Sequence, residues 1–254
     1  MATSHIIRLG TVKGKNGVLE ALKHNRRELH AERGAPANID ASRSHLNYAL
    51  HGEGNAQAIA THAKVQMLKA GIETPRKNCV LAVEVLFSLP IDRHQQDTRP
   101  FFIDCYEWVK ATFCAGELLS FDVHLDEAAP HAHALILPLV DNKMQGNAMM
   151  GNKGNLKRLD NLFFNQVAAR HGLIKHDYKR LNAKDRQTLG QEVLKRLNGD
   201  SVRKSAIWAW VRDAITASPM QCAEILGIEI APAQKKQKHF VDIKRSRGKG
   251  SFET

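Results

Sequence analysis

Two apolar stretches around a short polar turn constrain the fold of this chain more than any other feature. The first stretch reads LLSFDVHL and the second reads HAHALILPLV, and only DEAAP separates them. Both are short and rich in β-favouring residues, and a proline marks the turn between them, as is typical of neighbouring strands. A connection this short joins antiparallel strands, because parallel strands need a long crossover. Residues 118–140 are therefore predicted to form a β-hairpin.

The hairpin collects histidines on one of its faces. Residues two apart in a strand point to the same face, so His131 and His133 project together. If the strands pair around DEAAP, His124 lies across from His131, and Glu127 sits in the connecting turn as a fourth ligand or a base. Three imidazoles favour Mn, Zn, Ni, Fe or Co over Mg or Ca. So few protein ligands leave open coordination positions, which is typical of a catalytic site.

The rest of the pattern predicts an α+β domain. In chain order we predict a strand, two helices, a strand, a helix, the two hairpin strands and a final helix. Hairpins with intervening helices favour an antiparallel sheet that is covered by helices on one face. The segments behind these predictions are HIIRLGTV, VLEALKHNRRELHAE, NAQAIATHAKVQMLKAGI, NCVLAVEVLFSLP, RPFFIDCYEWVKATFC and GNLKRLDNLFFNQVAARHG.

The character of the chain changes after about Leu181. Two helical stretches follow, KDRQTLGQEVLKRL and SVRKSAIWAWVRDAITA, and the end reads AQKKQKHFVDIKRSRGKG, with seven Lys or Arg against one Asp. We therefore predict a catalytic domain over residues 1–182 and a helical extension with a basic tail over residues 183–254. Such a tail can bind phosphates without reading a base sequence.

The charge of the chain points to a polyanion as its partner. The formal net charge is +11 and the isoelectric point is about 9.6. Nucleic acid is the first partner class for such an excess, and an anionic membrane surface is the second. No apolar run approaches the ~20 residues of a spanning helix, so we expect no membrane insertion. The four cysteines lack CxxC spacing, which favours reduced thiols in the cytoplasm.

Two other metal sites fit the hairpin less well. A zinc protease helix needs HExxH, and neither that spacing nor a helical context is present around the histidines. A facial-triad oxygenase could use His124 and Asp126 as its HxD pair with a remote histidine. That alternative leaves the pair of His131 and His133 and the net charge unexplained. Asp126 is otherwise expected to face solvent or to cap the backbone of the turn.

Three segments together resemble one known family. HLDEAAPHAH resembles the HxDExxPHxH motif of the MobV-type (Mob/Pre) plasmid relaxases, which belong to the HUH endonuclease superfamily. KHNRREL resembles the amino-terminal His-Asn-x-Arg segment of these relaxases, and NIDASRSHLNYAL is similar to their Asn-x-Asp…Ser-Arg-Ser-x-x-Asn-Tyr segment. The order and approximate spacing agree, and the resemblance spans residues 1 to about 172.

The resemblance implies a ferredoxin-like sheet, the HUH relaxase fold, and a sequence-specific DNA strand transferase. Such an enzyme nicks one strand at a plasmid origin of transfer, stays joined to the 5′ end and later reseals it. It implies one divalent metal ion, Mn before Mg, and an acidic role for Glu127 beside that ion. His24 is implied as the nucleophile, with Tyr48 as its rival because a phenolate also suits this reaction. The ligands that it implies are His124, His131 and His133.

The resemblance also implies DNA contacts and partners. Arg27, expected one turn along the same helix face as His24, could neutralise the phosphate. Arg43 and Asn47 are further candidates for DNA contacts. Expected partners are single-stranded or supercoiled origin DNA, accessory mobilisation proteins and a conjugative coupling protein, in a bacterial cytoplasm. The alternatives are a replication initiator or transposase-type nickase, a DNA-binding module without catalysis, and a small-molecule metalloenzyme.

Overall fold

The computed structural model describes residues 6–29, 34, 36–175 and 181–228. The chain divides into two compact units, Met1–His176 and Asp177–Thr254. The predicted boundary after residue 182 stays a prediction, and the basic tail predicted over AQKKQKHFVDIKRSRGKG lies outside the described residues. Within the described part of the chain, none of the helices has the length and apolar character needed to span a bilayer.

The first unit is built on an antiparallel sheet, which confirms the predicted fold class. Its strands follow the order β1-β3-β5-β4-β2, and every neighbouring pair is antiparallel. A two-stranded ribbon, β6 with β7, follows the hairpin. The bounds are β1 Ile6–Val12, β2 Tyr48–His51, β3 Ala82–Ser88, β4 Glu117–His124, β5 His131–Leu137, β6 Leu139–Val140 and β7 Lys143–Met144.

Helices cover both faces of this sheet, whereas the sequence predicted one covered face. Two helices, α3 and α5, pack on the aromatic face around Phe87 and Phe121, and two others, α1 and α2, pack on the face of Leu119 and Leu135. The central strands carry apolar side chains on both faces, so each face needs a layer to exclude water. The bounds are α1 Gly17–Asn25, α2 Ala56–Lys69, α3 Arg99–Thr112, α4 Gly146–Met150 and α5 Lys153–Gln166.

The predicted hairpin is formed by β4 and β5. His124 pairs directly with His131 across the two strands, and Asp122 pairs with His133. The residues between them, such as Val123, turn toward the aromatic core on the other face. Strand alternation therefore places the three histidines on one face, as the sequence predicted.

Helix α1 is shorter than its sequence pattern suggested. The helix was predicted over VLEALKHNRRELHAE, residues 18–32, with apolar spacing through Leu29, but α1 ends at Asn25 and Arg27 has a left-handed backbone with φ of 60°. The amide of Arg27 donates to the carbonyl of His24 at 3.1 Å, a bond that closes the end of the helix. The expectation that Arg27 lies one turn along the same helix face as His24 is therefore wrong.

The second unit confirms the predicted helical extension over its described residues. Its helices are α6 (Ala183–Arg196), α7 (Trp208–Ala217) and α8 (Met220–Ile225). They enclose a small core of their own, which lets this short segment bury apolar surface. The core consists of Leu189, Val193, Ile215 and Ala223.

Short 3₁₀ helices occupy Ala41–Leu46, Ile91–Gln95, Ala168–His171 and Ser201–Lys204.

Candidate active site

The three histidines of the hairpin meet at one point of the sheet. The ring centroids lie 4.9 Å apart for His124 and His131, 5.0 Å for His124 and His133, and 5.1 Å for His131 and His133. One ring nitrogen of each lies within 4.8 Å of the other two. His124 is completely buried, and the other two side chains are nearly so. This geometry suits a single metal ion with open positions.

Outer partners fix which nitrogen of each ring carries the proton. Carbonyl and carboxylate oxygens only accept hydrogen bonds, so a ring nitrogen that faces one must donate. The other nitrogen of each ring then offers a lone pair, as in metal sites where an outer group orients the imidazole. The three contacts are His124 Nε2 to the Asn25 carbonyl at 2.7 Å, His131 Nδ1 to the Ala129 carbonyl at 2.9 Å, and His133 Nδ1 to Glu84 Oε1 at 2.9 Å.

These tautomers aim lone pairs at one another inside the cluster. His124 Nδ1 and His131 Nε2 lie 3.2 Å apart, and each ring has its proton on the opposite nitrogen. Burial lowers the pKa of His124 to about 2 and also lowers the pKa of His131, so both rings are neutral near pH 7. Two facing lone pairs repel, and a cation between them removes that repulsion. The cluster can therefore hold a cation.

His24 stands beside the triad. It lies in the last turn of α1, and its ring centroid is 5.9 Å from that of His133 and 6.4 Å from that of His124. The carbonyl of the next residue, Asn25, accepts the hydrogen bond from His124 Nε2. The end of α1 is thus tied to the hairpin, and this bond helps to position His24.

Glu127 is held as a carboxylate next to the triad. Its Oε1 lies 3.8 Å from His131 Nε2 and accepts from Arg27 Nη2 at 2.8 Å, while Asn38 Nδ2 donates to Oε2 at 3.2 Å. Burial alone would raise the pKa of Glu127, but the hydrogen bond from Arg27 and the nearby positive charges outweigh burial and lower it. Glu127 can therefore serve as an acidic neighbour of a bound ion.

Asp126 is buried at the centre of a hydrogen-bond network, so the expectation that it faces solvent or caps the turn is wrong. Arg27 binds both of its oxygens, at 2.6 and 3.1 Å, and Ser44 and Asn47 donate to Oδ2 at 2.8 and 2.7 Å. Burial would raise the pKa of Asp126, but these donors together hold that pKa below its usual value. Among the described residues, the group that could hold a metal does not include Asp126. This disfavours the HxD oxygenase alternative.

The predicted DNA contacts lie against the hairpin turn. Asn47 Oδ1 accepts from the amide of Leu125 at 2.7 Å, and Arg43 Nη2 contacts the carbonyl of Leu125 and His94 Nδ1. Arg27, as above, pairs with both acids of the turn. These contacts make all three side chains supports of the turn, because each satisfies buried polar groups of it. Their roles as DNA contacts stay predictions.

Tyr48 is not brought to the histidines. It pairs with Val123 across β2 and β4, so its ring lies on the aromatic face of the sheet, opposite the triad. The Arg99 guanidinium sits 4.6 Å from the ring centroid, and burial raises the pKa of Tyr48 to about 12. A phenol in this position is a poor source of phenolate.

Three residues that support the site were not identified from the sequence. Asn25 orients His124 through a backbone carbonyl, and His94 donates from Nε2 to the carbonyl of Glu127 at 2.9 Å; neither contact leaves a sequence signal. Glu84 did leave one, because it is the single charged residue in the apolar stretch NCVLAVEVLFSLP. A partly buried acid in such a strand is expected to have a partner, and His133 is that partner.

Replacing Asp126 by asparagine is expected to lower the free energy of unfolding by about 2–4 kcal/mol. The amide removes the negative charge that Arg27 faces, and only Glu127 remains as a partner. Urea unfolding measures the loss. Glu107→Gln is the matched control, because it breaks an exposed ion pair with Lys110 and is expected to leave the free energy of unfolding nearly unchanged. Equal, small losses in both variants would contradict the role of Asp126 as a structural centre.

Comparison with known proteins matches residues 1–192 to the family Mob_Pre, described as plasmid recombination enzyme. The chain is 30% identical over 137 residues to a plasmid recombination enzyme of Streptococcus agalactiae, covering 51% of this chain and 27% of that protein. It is 27% identical over 191 residues to a type 3 plasmid recombination enzyme of Staphylococcus aureus, covering 72% of this chain and 46% of that protein. The chain thus spans less than half the length of these two relatives.

Solved structures of one relaxase domain share the fold. The Mn-bound MobM relaxase domain in complex with plasmid pMV158 oriT DNA superposes with a TM-score of 0.60 at 24% identity, covering 71% of this chain and 94% of that domain. A second Mn-bound complex of the same domain with this DNA gives a TM-score of 0.57, also at 24% identity, and covers 70% and 97%. At this identity the likeness shows the fold alone.

Proposed function

Because this chain belongs to the plasmid recombination enzyme family, Mob_Pre, we propose that it is a metal-dependent DNA strand transferase, a relaxase of plasmid mobilisation. It nicks one strand at an origin of transfer, keeps the 5′ end on a side chain and later rejoins the strand. The observation that carries this proposal is the arrangement of three inward-facing imidazoles with a fourth histidine, His24, beside them. Such a set provides both a metal site and a nucleophile.

One divalent ion is the proposed cofactor, Mn before Mg. His124, His131 and His133 would hold it, and their fixed tautomers fit that task. When bound, the ion supplies stabilisation of the negative charge that grows on the scissile phosphate. The Mn-bound structures of the MobM relaxase domain support the choice of a transition metal.

The proposed nucleophile is the neutral imidazole of His24. Its nitrogen attacks phosphorus, so that a P–N bond forms while the bond from phosphorus to the 3′ oxygen breaks. The proton that the ring loses offsets the proton that the 3′ oxygen gains, and the phosphoramidate keeps the 5′ end on the enzyme. In the reverse step a 3′ hydroxyl attacks the same phosphorus and the P–N bond breaks. The position of Tyr48 on the other face of the sheet supports the choice of His24 over this rival.

Glu127 and Arg27 position the reacting groups in this proposal. Glu127 stays ionised beside His131 and can orient His24 or a ligand of the ion. Arg27 fixes that carboxylate and anchors the turn through Asp126, so its own charge is largely neutralised. We therefore assign Arg27 a positioning role first and a phosphate contact second.

The proposed substrate is single-stranded or supercoiled DNA with an origin of transfer. The net charge of +11 favours binding of the phosphate backbone. The MobM relaxase domain was solved with plasmid oriT DNA, which supports the same class of substrate here. Mobilisation in a bacterial cytoplasm would add accessory mobilisation proteins and a conjugative coupling protein as partners.

Incubation with a supercoiled plasmid that carries the cognate origin tests the proposal. With Mn or Mg present, we expect relaxed circles and protein attached to a 5′ end, and EDTA should prevent both. A plasmid that lacks the origin is the control. Protein that binds the origin but never nicks it, with any divalent metal, would show that the strand-transferase proposal is wrong.

Replacing Glu84 by glutamine is expected to weaken Mn binding by about 10- to 100-fold. The Glu84 carboxylate accepts a hydrogen bond from His133 Nδ1, and its pKa is lowered chiefly by that hydrogen bond, so it stays charged and makes the imidazole a better ligand. Isothermal titration with Mn measures the loss. Glu117→Gln is the matched control, because Glu117 also contacts a histidine, His62, but at an exposed site. An unchanged affinity in the Glu84 variant would contradict the proposed orientation of His133.

A further inference from the structure

Part of the sheet beside the triad is open to solvent in the described part of the chain. On the face that carries the triad, α1 and α2 cover β3 at its first residue, Ala82, which is completely buried in their core. Further along β3, the side chains of Glu84, Leu86 and Ser88 alternate on this face, and each is half-buried. The residues between them are completely buried on the aromatic face. The covered and the open part of this face therefore meet within one strand.

Strand register connects this open part of the sheet to the triad. Arg8 of β1 pairs with Leu86 of β3, and Leu86 pairs in turn with His133 of β5. Directly opposite residues share one face of a sheet, so these three side chains form a row across it, which we call the Arg8 row. Neighbouring strands lie about 4.8 Å apart, which puts Arg8 about 10 Å from His133 along the row. Ile7 and Leu9, on either side of Arg8, pack on the aromatic core of the opposite face, as strand alternation requires.

The acids beside the Arg8 row already have partners. Asp122, which pairs with His133 across β4 and β5, lies 2.7 Å from Arg26 Nε through its Oδ1. Glu84 accepts from His133 Nδ1 at 2.9 Å. Arg8 itself is exposed and has no carboxylate partner among the residues that the structure describes. Its positive charge is therefore available to an anion on the open part of the sheet.

We propose that Arg8 binds a phosphate that neighbours the scissile phosphate, so that the DNA strand crosses β3 and β1 along the Arg8 row. The guanidinium donates to the phosphate oxygens, a contact that positions the strand without reading its bases. Leu86 lies beneath the nucleotide between Arg8 and the triad. The inference rests on the proposed function, which puts the scissile phosphate at the triad. Arg8 lies outside the three segments that carry the resemblance to the relaxases.

The arginines that the sequence singled out are less suited to this contact. Arg27 is bound to both acids of the hairpin turn, and Arg43 contacts the carbonyl of Leu125 and His94 Nδ1. Moving either side chain to a phosphate would leave buried polar groups of the turn without a partner, which costs free energy. Arg8 can bind the strand without breaking an ion pair of the described residues.

Binding of the full chain to a fluorescein-labelled origin oligonucleotide tests the contact, in EDTA so that no strand is cleaved. In fluorescence anisotropy, Arg8→Ala is expected to weaken binding about 10-fold, because one charged contact is lost. The slope of log affinity against log salt should become shallower by about 0.7, the share of one phosphate contact on a single strand. Arg8→Lys keeps the charge and should keep the slope. Arg76→Ala is the matched control, because Arg76 is exposed in the same unit but precedes the other end of β3, and it should change neither value.

Oligonucleotides with a single methylphosphonate separate a direct contact from a structural role. Each carries one uncharged group in place of a phosphate beside the nick site. One such replacement should weaken binding to wild type and to Arg76→Ala by about 10-fold but cost Arg8→Ala nothing further, because its partner is already gone. The inference is overturned if Arg8→Ala binds like wild type at every salt concentration, or if each replacement weakens all three proteins equally. Circular dichroism checks folding, and Arg8→Gln takes the place of an unfolded Arg8→Ala in both measurements.

The two proposals can fail separately. A chain that never nicks origin DNA, but whose Arg8→Ala variant loses affinity and salt dependence, would refute the strand-transferase proposal and support the contact of Arg8 with DNA. A chain that nicks normally, and whose Arg8→Ala variant binds the oligonucleotide unchanged, would do the reverse.

Discussion

Replacing His24 by alanine is expected to reduce strand cleavage at the origin by at least about 1,000-fold, because it removes the proposed covalent nucleophile. His24 is the histidine that α1 places beside the triad, 5.9 Å from His133 between ring centroids. The alanine variant should still bind Mn and origin DNA, since the three ligands and their outer partners remain. Single-turnover cleavage of a labelled origin oligonucleotide measures the rate, and titration with Mn checks the metal site.

Tyr48→Phe separates this assignment from its rival. The substitution removes only the hydroxyl of a half-buried ring on the opposite face of the sheet, so cleavage should stay close to the wild-type rate. If cleavage instead survives in the His24 variant and is lost in the Tyr48 variant, the nucleophile assignment fails. If both variants lose cleavage and circular dichroism shows that they are unfolded, the loss is due to misfolding. His24→Gln would then be used in place of His24→Ala.

Replacing His131 by alanine is expected to have the second-largest effect. Loss of a direct ligand should weaken Mn binding by more than about 100-fold, because losing an outer partner alone costs about 10- to 100-fold. In wild type, Mn at 100 times its dissociation constant should add about 2.7 kcal/mol to the free energy of unfolding, and the variant should lose this gain. His131 is a better choice than the completely buried His124, whose removal also threatens the core.

His62→Ala is the matched control for the His131 variant. His62 is an exposed histidine of α2 that contacts Glu117, away from the triad. The His62 substitution should leave the Mn affinity unchanged, and Mn should still raise the free energy of unfolding as it does in wild type. A His131 variant that binds Mn as tightly as this control would show that the triad does not hold the ion.

The hairpin and the meeting of its three histidines could be predicted from the sequence because both depend on local order. Strand alternation and a six-residue connection bring His124 opposite His131, and no distant contact is needed to predict this pairing. The same holds for β3, whose apolar run marks a buried strand. The convergence of the three imidazoles therefore follows from the sequence pattern alone.

The surroundings of the site could not be predicted because they depend on contacts between distant segments. The sequence predicted that Asp126 is a residue of the turn. In the structure its carboxylate binds Arg27, 99 positions earlier, because α1 ends at Asn25 and Arg27 has a left-handed backbone. No sequence signal marks the end of α1, since the helical spacing of apolar residues continues past Asn25. Tertiary contacts override local propensity in such places.

The face of the sheet on which Tyr48 lies could not be predicted from the sequence either. A side chain in a short edge strand can point to either face, and one residue of register decides which. Only the pairing of Tyr48 with Val123 assigns it to the aromatic face. The segment NIDASRSHLNYAL resembles the relaxase family, but this resemblance does not predict the face of the sheet on which the Tyr48 phenol lies.

We propose that His24 carries the 5′ end of the nicked strand beside a metal held by the hairpin. Wild-type protein would be incubated with Mn and an origin oligonucleotide, digested, and searched by mass spectrometry for the residue that bears the nucleotide. We expect a 5′ phosphate joined to a ring nitrogen of His24, formed with Mn and absent with EDTA. A nucleotide on Tyr48 or another residue, or an adduct that forms equally in EDTA, would contradict it.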